Sequence, residues 1–72
     1  MFCIDRDLLL YRVKQANTTY DALIDELGID RSTWYRHLRE GSMPVAEMHD
    51  VIRILGLSIE DACAIFLCQK VA

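Results

Sequence analysis

The sequence predicts an all-α fold, a compact bundle of five short helices in one domain spanning residues 1–72. Three observations carry this expectation. Gly28, Gly41 and Gly56 each close a stretch of helical periodicity, and Pro44 opens another. Within these stretches apolar residues recur at three- and four-residue intervals, the period of one helix face. There is no alternating valine-rich run and no Asn-Gly or Asp-Gly hairpin signal.

A first helix is expected from Asp5 to Ala16, with Leu9, Val13 and Ala16 as an apolar stripe widened by Leu10. Asp5 and Asp7 suit its positive N-terminal end, and Arg12 and Lys14 its negative end. Thr19 is a good N-cap for a second helix that runs to Leu27, where Gly28 can take the left-handed conformation that ends it. Ile29 reads as a buried plug. Asp30 then caps a third helix from Arg31 to about Arg39, whose inner face is Trp34 and Leu38 and whose outer face is Arg31, Ser32, Tyr35, Arg36 and Arg39. Pro44 suits the start of a fourth helix reaching Leu55, with Met48, Val51, Ile52 and Leu55 inward. Ser58, with Asp61 three residues on, forms a capping-box pattern for a fifth helix carrying Ala62, Cys63, Ile65 and Phe66.

Composition narrows the class. The chain is 53% hydrophobic and 26% charged, which is globular rather than disordered. No apolar run approaches the roughly 20 residues of a membrane span, and the start, Met1-Phe2-Cys3-Ile4-Asp5, lacks the pattern of a secretory signal. A cytoplasmic protein is the expectation. Three cysteines without a CxxC pair do not read as a disulfide framework. Cys63 and Cys68, read as one helix, would point about 140° apart, and only His37 and His49 could supplement them, so no zinc site is expected. The thiols are expected to be buried and reduced.

The net charge is −3, which weighs against a nucleic-acid partner, but its distribution is uneven. Residues 31–39 hold Arg31, Arg36, Arg39 and His37 with no acid, whereas Tyr20 to Asp30 hold Asp21, Asp25, Glu26 and Asp30 with no base. Two short helices joined by Gly28-Ile29-Asp30 would let the third project its outer face, and a helix bearing arginines fits the major groove. Arg31 and Arg36 each offer a fork suited to guanine. Arg39, near the helix end, suits a phosphate, and the Tyr35 phenol could reach a phosphate or a thymine methyl. Tyr20 could equally pack as a staple at the start of its helix. Trp34 reads as core, and His37 and His49 as surface or satisfied side chains rather than ligands.

The run from Thr19 to Leu38 resembles the Cro/CI-type, or XRE-like, helix-turn-helix family. The resemblance extends through Gly41 and Val51-Ile52-Arg53-Ile54-Leu55-Gly56-Leu57-Ser58 to Ala62-Cys63-Ala64-Ile65-Phe66, similar to short phage-encoded members. It implies a lambda-repressor-like domain with the helix-turn-helix at 19–39, binding double-stranded operator DNA as a homodimer, without cofactor or metal, as a transcriptional regulator in a bacterial or phage-infected cell. It also implies base contacts from Arg31, Ser32, Tyr35 and Arg36, and phosphate contacts from Thr19, Tyr20 and Arg39. Ile24 departs from the family's usual small residue, and His37 from an often apolar one.

The apolar tail at 62–72 holds more hydrophobicity than one helix face needs. Ile65, Phe66, Leu67 and Val71 are therefore expected to form the dimer interface, with Met1-Phe2-Cys3-Ile4 able to join them. The alternative is a protein-interaction module that kept the helical fold without specific DNA binding. An enzyme is not expected, since the chain shows no phosphate loop, carboxylate pair or nucleophile with an oriented base.

Overall fold

Every helix in this chain is too short to stand alone. Isolated helices below about 12–15 residues are marginal in water, and the longest here has 11 residues. In a computed structural model, which describes residues 2–69, five helices share one core. They are α1 (Arg6–Gln15), α2 (Tyr20–Leu27), α3 (Arg31–Glu40), α4 (Val45–Leu55) and α5 (Ile59–Phe66). α2 packs against both α3 and α4, while α1 packs against α5. None of these helices is long and apolar enough to cross a membrane.

Thr19, Gly28 and Ser58 set helix ends as expected, and Asp5, expected only as favourable charge, also serves as a cap. Asp5, Thr19 and Ser58 cap α1, α2 and α5, each side-chain oxygen accepting from the backbone N–H three residues on. Asp30 precedes α3 but makes no side-chain cap bond. Gly28, at φ +70°, ends α2 in the left-handed region, where its N–H donates to the Ile24 and Asp25 carbonyls. No glycine follows α1. Asn17 takes the positive φ there instead, at 57°, a conformation asparagine tolerates better than most residues.

The core is built from Ile4, Leu9, Val13, Leu23, Ile24, Trp34, Leu38, Met43, Val51, Ile65 and Phe66. Trp34 is fully buried and meets the Tyr20 ring edge-on, with centroids 5.4 Å apart. Its indole N–H has no hydrogen-bond partner among the described residues. Arg12 links α1 to the start of α5 through a half-buried ion pair with Asp61 at 2.8 Å.

Several expectations change here. A two-residue antiparallel pair, β1 (Phe2–Cys3) with β2 (Cys68–Gln69), brings the two ends of the described chain together. No hairpin signal announces it, because its strands are separated by nearly the whole chain. Cys68 therefore lies beyond α5 rather than on the same helix as Cys63, and Cys63 is exposed rather than buried. Ala16 and Leu10, assigned to the α1 stripe, are exposed, and the stripe narrows to Leu9 and Val13.

Ile65 and Phe66, expected at a dimer interface, are instead core residues, 0% and 5% exposed. A core this thin needs both side chains to close over α1. Ile4 joins the core as well. Only Leu67, at 52% exposure, stays on the surface, and Val71 lies outside the described residues.

Of the two readings of His37, surface or satisfied, the structure has the satisfied one: it is buried, and its Nδ1 lies 2.7 Å from Oε2 of buried Glu47. This contact ties α3 to the first turn of α4. Removing one partner strands the other in a desolvated site, at a cost of roughly 2–4 kcal/mol. Glu47→Ala and His37→Ala should each lower stability by about that much in urea unfolding. The double variant should lose much less than the sum, because neither group is then left unpaired.

Candidate nucleic-acid interface

The outer face of α3 follows from what its inner face must bury. Trp34, His37 and Leu38 stand at i, i+3 and i+4 and all point into the domain. The opposite positions, Arg31, Ser32, Tyr35, Arg36 and Arg39, are exposed. They fall at i, i+1, i+4, i+5 and i+8, so they form one continuous stripe with three guanidinium groups along it. The stripe is framed by a three-residue connection, Gly28–Ile29–Asp30, between α2 and α3.

Tyr20 joins the two helices from behind the stripe. Half-buried at the start of α2, it stands edge-on to Trp34 and, at 6.2 Å between centroids, to Tyr35. Packing and surface roles thus meet in one residue, because its ring supports the position of the exposed Tyr35 phenol. Burial pushes the Tyr20 pKa up; Arg6 pulls it down, while Tyr35 and Asp7 raise it further. The phenol therefore stays protonated and able to donate. Thr19 is exposed, and its hydroxyl accepts from the Ala22 N–H as the cap of α2.

The electrostatics are mixed. Arg31 reaches back to Asp21 of α2 through its Nε, 3.6 Å from a carboxylate oxygen. Both side chains are 69% exposed, and such surface pairs contribute about 0–1 kcal/mol, so the contact is easily exchanged for another partner. Asp25 and Glu26, also on α2, are exposed beside it. At the other end of the stripe, Arg39 and Tyr20 line a broad groove of about 790 Å³ that Asp5, Arg6, Asp7 and Glu40 also line.

The structure thus brings Arg31, Ser32, Tyr35, Arg36 and Arg39 onto one surface, with Thr19 and Tyr20 on the adjoining helix. Two participants were missed by sequence reasoning. Arg6 of α1 lines the same groove as Tyr20 and Arg39, and no local signal marks that placement. His37 fixes α3 from inside; its place three residues after Trp34 was the available sign. Among the described residues, no three His, Cys, Asp or Glu side chains converge as metal ligands.

Comparison with protein-family models, with curated proteins and with solved structures finds no match to this chain.

The raised Tyr20 pKa has a linkage consequence. In the unfolded chain the phenol ionises at about 10; in the folded protein it holds its proton to higher pH. Its contribution to stability is therefore complete below the unfolded value and is lost as pH rises through the folded one. An ultraviolet titration should show a phenol ionising above the ordinary value of about 10. Tyr20→Phe should remove that late step.

Proposed function

We propose that this protein is a sequence-specific DNA-binding regulator of the helix-turn-helix kind, with α3 as the recognition helix. The observation that supports it most is the exposed stripe of Arg31, Ser32, Tyr35, Arg36 and Arg39, backed by a fully buried Trp34. A helix held rigidly by its inner face while presenting arginines on its outer one suits the major groove, which is about 12 Å wide. Arg31 and Arg36 read base edges, with Ser32 and Tyr35 beside them. Arg39, Thr19 and Tyr20 contact phosphates, setting register without carrying sequence information.

On approach to DNA, Arg31 leaves Asp21 for a base edge. The exchange costs little because both side chains are exposed, and an arginine fork on guanine gains about 1–3 kcal/mol of discrimination. The acidic residues of α2 oppose loose backbone association, so binding leans on the α3 contacts.

A symmetric homodimer completes the reading, since it sets two recognition helices about 34 Å apart on half-sites one helical turn from each other. Leu67 and Ile59 are exposed apolar side chains on and beside α5 available to such an interface. No cofactor is needed for this activity.

The acidic exposed face of α2 favours a second reading, a protein-interaction module with the same fold. Selection from random-sequence DNA at two salt concentrations separates the two. The regulator reading expects a two-fold-symmetric motif with half-sites one turn apart. It also expects a loss of roughly tenfold or more in affinity for that motif on Arg36→Ala, and a larger loss with Arg31→Ala added. Attraction without a motif, fading steeply with salt, is backbone association only. That outcome, or no binding at all, sinks the regulator reading in favour of the protein partner.

A further inference from the structure

We propose that Cys3 and Cys68 are a dithiol site that closes reversibly into an intramolecular disulfide by exchange with a small-molecule disulfide such as oxidised glutathione. The register of the terminal strand pair carries this. Cys3 and Cys68 are direct partners across the β1–β2 ladder. Residues opposed in this way have Cα atoms about 4.5–5.5 Å apart and side chains on the same face of the ladder. That separation lies inside the range of roughly 4.4–6.8 Å which a disulfide spans without backbone movement.

The Cys3 Sγ lies 3.4 Å from the Cys68 carbonyl oxygen, and both residues are only partly buried, so a small reagent can reach them. Burial raises the Cys68 thiol pKa, and the adjacent Cys3 thiol adds to the rise. A further backbone bond from the Asp5 N–H to the Ile65 carbonyl, at 2.7 Å, holds the N-terminal segment against α5 just inside the pair. The ladder keeps the thiols opposed before any oxidant arrives. Cys63 is exposed on α5 and takes no part in the ladder.

The chemistry balances with the oxidant as named. One cysteine gives up its proton, and its thiolate attacks a sulfur of oxidised glutathione, forming a mixed disulfide and expelling one glutathione thiolate. The second cysteine, deprotonated in turn, attacks the protein sulfur of that mixed disulfide and expels the other glutathione thiolate. The two protons end on the two glutathiones. Two protein S–H bonds are replaced by one S–S bond, and one glutathione disulfide is reduced.

Closure has a physical consequence because the cysteines are 65 positions apart. A loop of that length loses much conformational freedom in the unfolded chain when its ends are joined. The Cys3 Cβ also sits 3.5 Å from where a side chain on Gly41 would begin, so the bridge would hold the N-terminal segment on the cap that ends α3.

The test uses the full chain with Cys63→Ser, and the unmodified chain in parallel, incubated in graded ratios of oxidised to reduced glutathione. Non-reducing peptide mapping by mass spectrometry reads the product. The expected result is a monomer lighter by two hydrogens, with the Cys3 and Cys68 peptides joined and Tm raised by roughly 10 °C. Dithiothreitol should reverse both changes, and Cys3→Ser should abolish the cross-link. Glutathione adducts that never resolve, disulfide-linked dimers, or thiols that stay free while the chain is folded would each overturn the proposal.

Discussion

Because a helix of ten residues has only one face to bury, whichever side chain is buried first decides what the other face shows to solvent. In α3 that side chain is Trp34, fully enclosed and met edge-on by Tyr20. Its burial brings α2 and α3 together and turns Arg31, Arg36 and Arg39 outward. The large apolar area of an aromatic side chain makes this orientation strongly preferred over a rotated one. The arginine stripe is therefore a consequence of packing, and the proposed interface depends on it.

The His37–Glu47 contact works in the same direction with different physics. An apolar residue at position 37 would bury as readily, but it would not choose a partner. A polar group in a desolvated site must find its complement, and Glu47 at the start of α4 supplies it. In a domain with so thin a core, such a contact restricts the number of ways five short helices can pack. A half-buried ion pair between Arg12 and Asp61 restrains α1 and α5 similarly.

Charge and fold pull apart in this protein. Its net charge of −3 repels a polyanion at a distance, while the α3 stripe is positive at contact. In the proposed complex with DNA, long-range steering is weak, so binding would rest on close and directional interactions, which favour discrimination over general affinity. The Arg31–Asp21 pair belongs to the same surface, a weak exposed contact between its positive and negative sides.

The sequence by itself determined the five helices, the caps at Thr19 and Ser58, the stop at Gly28, and the division of α3 into buried and exposed sides. These rest on interactions spanning three or four residues, so a local pattern contains them. The chain alone also marked the exposed arginines, since the inward positions Trp34 and Leu38 leave them nowhere else to go. Tertiary structure alone decided that Ile65 and Phe66 close the core rather than an interface, that His37 meets Glu47, and that Arg6 shares a groove with Tyr20. It alone set Cys3 opposite Cys68. Each of these depends on how much area a small core must cover, or on which distant segments meet. Those are properties of the packed chain as a whole, and no short stretch of sequence carries them.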